Sequence, residues 1–163
     1  MPNGKTVIVV MGVSGSGKTK IGQLLSKKLS VPFYDGDDFH PEENIKKMSS
    51  GQPLNDTDRK GWLVQLNRLA LEHREQGAVI ACSALKKNYR SLLRAGMGNC
   101  MVFVYLKGSF DLIKSRLDSR KGHFMSSALL KSQFDTLEPP SKAITVSIEE
   151  TPANIVKKIV KQL

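Results

Sequence analysis

An α/β fold on a parallel sheet is what the sequence predicts, from three observations. Short β-branched runs alternate with longer amphipathic stretches, the pattern of βαβ units. The run Val7-Ile8-Val9-Val10-Met11 is apolar at every position, as a strand covered on both faces must be. A glycine-rich stretch from Gly12 to Gly17 then joins that run to a helical pattern. At 163 residues the chain is read as a single domain, 1–163, with one core. Hydrophobic residues at 40% against 25% charged exclude the low-hydrophobicity balance of a disordered chain.

Thr6–Met11 reads as the first strand, and Lys18–Leu29 as a helix with Ile21, Leu24, Leu25 and Leu29 on one side. A second strand ends near Phe33-Tyr34-Asp35. Pro41 starts a short helix through Met48, and Gly51-Gln52-Pro53 breaks it. Asn55 or Asp56 caps a longer helix running toward Gln76, where Gly77 stops it. Ala78–Cys82 and Met101–Leu106 are further buried strands, separated by a helix over Lys86–Arg94 and a turn at Gly96-Met97-Gly98. Phe110–Ser119 reads as helix, Arg120–Ser126 as a polar loop, and Ser127–Leu137 as a helix ended by Pro139-Pro140. A last strand at Ala143–Ile148 and a helix from Pro152 to Gln162 complete the chain. Cys82 and Cys100 lack metal-ligand spacing and are expected to be plain buried thiols, with Met48, Met97 and Met125 as packing residues.

A net charge of +10 points to acidic partners, which include nucleic acid, anionic membranes and small phosphorylated or carboxylated molecules. The apolar run at Val7–Met11 is too short for a secretory core or a membrane span, so a cytoplasmic protein with no membrane partner is expected.

Gly12-Val13-Ser14-Gly15-Ser16-Gly17-Lys18-Thr19 satisfies G-x-x-x-x-G-K-[ST] between a predicted strand and a predicted helix, the context of a phosphate-binding P-loop. Such glycines let backbone N–H groups curl around phosphate oxygens at the positive end of the helix. Lys18 is expected to reach the β- and γ-phosphates and the Thr19 hydroxyl to ligate Mg²⁺. A GTPase is set aside: no N-K-x-D occurs, and Asp58-Arg59-Lys60-Gly61 lies inside a helical pattern instead of following a strand.

The second strand runs into Asp35-Gly36-Asp37-Asp38-Phe39-His40, which puts a D-x-D pair at the strand ends where open α/β sheets bind ligands. One aspartate can organise Mg²⁺ while the other accepts the proton of an attacking hydroxyl. The third strand, Ala78-Val79-Ile80-Ala81-Cys82-Ser83, ends without an acid, which puts the metal role on Asp35.

Asp35-Gly36-Asp37 with His40-Pro41, then Asn44, Lys47-Met48, Gly51, Pro53-Leu54, Asp56, Asp58-Arg59 and Trp62-Leu63, closely resembles gluconokinase, a small P-loop kinase family related to shikimate and adenylate kinases. Cys82-Ser83-Ala84-Leu85-Lys86-Lys87 with Tyr89-Arg90, Arg116-Leu117, Arg120, Gly122-His123-Phe124, and Gln133-Phe134 with Thr136-Leu137-Glu138 extend the resemblance from about Val10 to Pro140. Lys20, Gly61 and Ser126-Ser127 depart from it, and Gly61 is expected to loosen the start of the long helix. The resemblance implies a three-layer P-loop kinase fold with a central parallel five-stranded sheet and a helical lid at about 116–137. It implies ATP-dependent phosphorylation of D-gluconate to 6-phospho-D-gluconate, with ATP and Mg²⁺, and a homodimer. It implies acceptor binding by Asp37, His40, Arg59, Lys86, Arg90 and His123, with Asp37 as base and Arg59 or Arg90 on the carboxylate. Arg116 and Arg120, i,i+4 on one expected helix face, would meet the nucleotide, with Arg120 stabilising the transferring phosphoryl.

A shikimate-type kinase shares the loop and the D-x-D pair but usually carries a glycine triplet where Ala81-Cys82-Ser83 stands. An RNA-binding P-loop protein needs aromatic side chains interleaved with basic ones, and six Phe, three Tyr and one Trp fall mostly at core-like positions. Lys157, Lys158 and Lys161 on the last helix therefore read as a solvated face, and no nucleic-acid partner is expected.

Overall fold

The computed structural model describes residues 6–119 and 126–163. Five strands form one sheet: β1 (Val7–Met11), β2 (Phe33–Asp35), β3 (Ala78–Ala81), β4 (Met101–Lys107) and β5 (Ile144–Ser147). Their order is β2-β3-β1-β4-β5, and every pairing is parallel. All strand C-termini therefore share one edge. The order reverses around β1, which opens a crevice beyond its end, where the glycine-rich loop lies.

Among the described residues seven α-helices flank the sheet: α1 (Lys18–Leu29), α2 (Glu42–Ser49), α3 (Asp56–Glu72), α4 (Lys87–Arg94), α5 (Phe110–Asp118), α6 (Ser127–Thr136) and α7 (Pro152–Gln162). Pleating explains why β1 is apolar throughout. Ile8 and Val10 join Ile21 and Leu25 of α1, Ile113 of α5 and Ile155 and Ile159 of α7 in one core. Val7, Val9 and Met11 face the other way, into a core with Trp62, Leu63 and Leu66 of α3 and Tyr89 and Leu93 of α4. The result is three layers with a core on each side of the sheet.

The helix α3 starts on a capping box in which Asn55 accepts from the Asp58 N–H while Asp58 accepts from the Asn55 N–H. It stops at Glu72, one turn short of the expected Gln76. His73 is the cause: its ring bonds the Leu69 carbonyl oxygen through Nδ1 and the Tyr34 hydroxyl through Nε2, and Gly77, at φ 86°, turns the chain into β3. Two further expectations change. Met48 is exposed rather than packed, unlike the fully buried Met97, and Cys100 is only partly buried, whereas Cys82 is buried. Lys157, Lys158 and Lys161 are exposed on α7, as a solvated face requires. Among the described residues no helix is long and apolar enough to cross a membrane.

Two glycines test this packing in opposite directions. A Cβ on Gly36 would stand 2.4 Å from the Ala81 carbonyl oxygen, so backbone must move, and Gly36→Ala should cost about 3 kcal/mol, the upper range of overpacking. Gly61 lies exposed inside α3 with nothing within 4 Å of an added Cβ, so Gly61→Ala should stabilise by about 0.5–1 kcal/mol. Urea unfolding of both variants is the measurement; a neutral Gly36→Ala would mean that β2 and β3 do not approach as described.

Candidate active site

The loop between β1 and α1 is built to hold an anion. Gly17 caps α1 in the left-handed region, at φ 97°, and provides no side chain to bond the first-turn N–H groups. No acid occupies that first turn either, so the positive helix end is left for a ligand. The loop is also tightly seated: a Cβ on Gly12 would meet Ser16 Oγ at 2.8 Å and the Leu106 carbonyl oxygen at 3.0 Å. Lys18 Nζ folds back to donate to the Gly12 and Val13 carbonyl oxygens, both at 3.0 Å. Burial pulls its ammonium below the ordinary lysine range, against the charges of Asp37 and Asp35. A cavity of about 150 Å³ is lined by Ser14, Gly15, Gly17, Lys18, Thr19, Asp35 and Asp37, so loop and carboxylates share one space.

Asp35 ends β2 beside Ala81 of β3 and organises the turn beyond it. Its Oδ1 accepts from the Asp37 N–H at 3.0 Å, which caps a short 3-10 turn over Gly36–Phe39, and its Oδ2 accepts from Thr19 Oγ1 at 3.3 Å. A hydroxyl and a carboxylate side by side form a small, all-oxygen donor set. That set fits Mg²⁺, which keeps waters and takes phosphate oxygens for the rest of its shell. Among the described residues no group of three or more His, Cys, Asp or Glu could hold a metal by itself. The Asp37 side chain, 81% exposed, points into the open cleft from that turn. The protein wall around it, then the Asp35 charge, raises its carboxyl above the usual aspartate value, with Lys18 opposing.

His40 lies behind Asp37, stacked on the Trp62 indole at a centroid distance of 4.0 Å. The Asn44 side-chain nitrogen donates to the Asp58 carbonyl oxygen at 2.9 Å and to His40 Nδ1 at 3.2 Å. Since that nitrogen is the donor, Nδ1 accepts and the ring hydrogen sits on Nε2, 3.8 Å from Asp37 Oδ1. Burial, then the Arg59 charge, pushes the imidazole down to about 4, so it stays neutral.

Arg59, from the first turns of α3, donates through Nη1 to the Tyr89 hydroxyl at 2.9 Å, and Lys86, at the start of α4, pairs with Asp56 Oδ1 at 3.0 Å. Tyr89 and Asp56 join Arg59 and Lys86 into one bonded cluster, and Arg59 is near enough to His40 for its charge to act on the imidazole. Arg90 does not join them. It is buried to 9% exposure and donates to the Ala84 carbonyl oxygen at 2.7 Å and to the Glu138 carbonyl oxygen at 2.8 Å. Its fork braces two backbone segments, so the two terminal nitrogens of Arg90 are both engaged by the protein itself. Arg116, near the end of α5, donates through Nη2 to the Ile148 carbonyl oxygen at 2.7 Å. Arg120 and His123, like the expected loop around them and Met125, lie outside the described residues.

Residue type gave no hint of Gln133. From α6 its Oε1 accepts the Ser14 N–H at 2.7 Å and its Nε2 donates to Ser14 Oγ at 3.0 Å, tying the segment after α5 to the phosphate loop. Asn44, Asp56, Trp62 and Tyr89 were likewise visible only as parts of a resemblance. Their work depends on partners 14 to 33 positions away along the chain, which no local pattern reveals.

A phosphate loop on a parallel five-stranded sheet, with a carboxylate pair across the cleft, defines a P-loop phosphotransferase, and the shikimate kinase family model matches residues 14–163. Within that class the chain belongs to the gluconokinase family. It is 52% identical to the thermoresistant gluconokinase of Escherichia coli K12 over 82% of this chain and 77% of that one. It is 46% identical to a probable gluconokinase of Xenopus tropicalis over 94% and 90% of the two chains. The crystal structure of a gluconokinase from Sinorhizobium meliloti 1021 superposes with a TM-score of 0.90 at 42% identity, covering 96% of this chain and 90% of that one.

The neutral His40 has a signature in stability. Unfolded, it titrates near its ordinary 6.5; folded, near about 4. Between those values the unfolded chain holds more protons, so this contribution is complete above pH 6.5 and is lost as pH falls toward 4, roughly 3 kcal/mol at full extent. Urea unfolding between pH 4 and 7 should show a steeper acid loss for the wild type than for His40→Gln. Parallel slopes would mean that the imidazole is not held neutral by the fold.

Proposed function

We propose that this protein transfers the γ-phosphoryl group of ATP to the primary hydroxyl of D-gluconate, giving 6-phospho-D-gluconate and ADP. The observation that carries the reading is one cavity shared by the phosphate loop and the carboxylates Asp35 and Asp37, with the linked cations Arg59 and Lys86 on the neighbouring α3 and the start of α4. Gluconate has a carboxylate at one end and the reacting hydroxyl at the other, and the cleft has a matching polarity. The Arg59 fork, with Lys86 beside it, meets the carboxylate; Arg supplies a planar pair of donors suited to that group. Asp37 takes the proton of the attacking hydroxyl, and its carboxyl, raised above the usual aspartate value by the surrounding protein and the Asp35 charge, is a stronger base for it. The neutral His40 holds its Nε2 hydrogen toward Asp37 and the acceptor without adding a charge.

At the other end, the Gly12–Thr19 loop receives the phosphates and Lys18 neutralises charge developing on the transferred group. Mg²⁺, when bound with the nucleotide, supplies electrostatic neutralisation of the phosphate oxygens, and Thr19 and Asp35 would hold it. The resemblance assigns the lid to the segment 116–137, with Arg120 acting on the phosphoryl group and His123 on the acceptor, and in its described part Gln133 ties α6 to Ser14. Arg116 can meet the nucleotide through the N–H donors that its single bond to Ile148 does not use.

Steady-state kinetics with gluconate and with neutral glucose test this reading. Lys18→Ala should lower kcat/KM at least roughly a hundredfold, about 2.7 kcal/mol, in a folded protein. Asp37→Asn should collapse kcat while gluconate still binds. Arg59→Ala should weaken gluconate binding by about 1.5–3 kcal/mol and narrow the preference for gluconate over glucose, because only the acid loses a partner. An unchanged ratio in Arg59→Ala would move the carboxylate contact elsewhere, and a wild type that prefers glucose would end the gluconate reading.

A further inference from the structure

Tyr89 and Asp56 take no part in the phosphoryl transfer itself, yet the cleft holds both in a dense set of bonds. Tyr89 is 2% exposed, on the face of α4 that packs against α3. Its hydroxyl donates to Asp56 Oδ1 in a short hydrogen bond and accepts from Arg59 Nη1 at 2.9 Å. Lys86 Nζ donates to the same Asp56 oxygen at 3.0 Å. The Arg59 guanidinium carbon and the Lys86 ammonium lie 5.2 and 5.6 Å from the centroid of the Tyr89 ring.

The direction of this chain of bonds is fixed by hydrogen count. A phenol has one hydrogen, and arginine and lysine only donate, so the acceptor at the end must be the Asp56 carboxylate. The bonds from Tyr89 and Lys86 hold that carboxyl below the usual aspartate value, so it is ionised at neutral pH. The phenol hydrogen therefore goes to Asp56 and a lone pair faces Arg59. We propose that Tyr89 and Asp56 are positioning residues that aim the Arg59 fork into the cleft and set the charge of the site for a monocarboxylate acceptor. The inference rests on the reading that Arg59 meets the acceptor's carboxylate.

The geometry has two consequences. With one N–H spent on Tyr89, the remaining donors of Arg59 are oriented before the acceptor arrives, which removes an ordering cost from binding. Arg59 and Lys86 against Asp56 leave the cluster one positive charge, which one carboxylate neutralises; a dianionic acceptor would bring one charge too many. Without the phenol oxygen between them, Arg59 is free to pair with Asp56 directly, and the fork is lost to the substrate.

The test is a double-mutant cycle in the full-length protein with ATP and gluconate. Tyr89→Phe keeps the ring and its packing and removes only the hydroxyl. It should raise the gluconate KM about tenfold while kcat stays within about twofold, and should add nothing further in an Arg59→Ala background. A merely structural Tyr89 would instead lower kcat, or add its full effect to that of Arg59→Ala, and either result overturns the inference. If Arg59→Ala raises the gluconate KM but Tyr89→Phe is silent, the inference fails while the carboxylate reading stands; if Arg59→Ala is silent, both fail. Should Tyr89→Phe not fold, Asp56→Asn reads the same chain of bonds from its other end, with a raised gluconate KM and retained kcat expected and an unchanged KM overturning the proposal.

Discussion

Gly36 is the contact on which the cleft depends. Its lack of a side chain lets the turn after β2 press against the Ala81 carbonyl oxygen, and its own carbonyl oxygen accepts the Trp62 indole N–H at 2.7 Å. One residue thus ties β2 to β3 and α3 to both. Asp35 and Asp37 flank it, and the indole that bonds it is the surface on which His40 stacks. A buried indole N–H without a partner is costly, so the hydrogen bond fixes the ring, and the ring fixes the imidazole. Asp37, the neutral His40 and Asp35 therefore take their positions from a single backbone unit.

The charged groups of the site fall into two sets. Lys18 and Asp37 oppose each other across the phosphate loop, each shifted toward its neutral form by desolvation and each held back by the other's charge. Asp56 and Asp58 are shifted toward ionisation instead, because each accepts hydrogen bonds, from Tyr89 and Lys86 in one case and from Lys47 and the Asn55 N–H in the other. What separates the sets is hydrogen bonding: the carboxylates that accept from side-chain donors are held ionised, and Asp37, which accepts no such bond from a described residue, is shifted by its surroundings and its neighbours' charges.

Most of the architecture is legible in the sequence because it arises from local signals. The glycine spacing, the β-branched runs and the cap at Asn55 each specify an element without distant partners, and α1 and α7 have the expected bounds. What fails is what tertiary contact decides. Arg59 and Arg90 were equal candidates as cations beside a cleft; only the fold shows that Arg90 points at two carbonyl oxygens, one 48 positions away. His73 ends α3 early because Tyr34, 39 positions away, holds its ring. Charge type predicts that a residue needs a partner and is silent on which partner it finds.

The spacing between the two ends of the acceptor site is set by α3 itself. Arg59 and Trp62 are three residues apart on that helix, so they rise from neighbouring positions on its surface. Trp62 carries His40 and, through Gly36, the turn bearing Asp37; Arg59 meets Tyr89. A helical turn therefore connects the Asp37 turn to the Arg59 guanidinium, and the Asn55–Asp58 capping box holds that turn in register. Asp58 extends the same unit, since its side chain pairs with Lys47 of α2 at 2.7 Å and its carbonyl oxygen receives Asn44. On the proposed reading the acceptor has to span a fixed distance, since the turn bearing Asp37 and the Arg59 guanidinium are both referenced to one helix, and its charge is met by the three side chains around Tyr89: Asp56, Arg59 and Lys86.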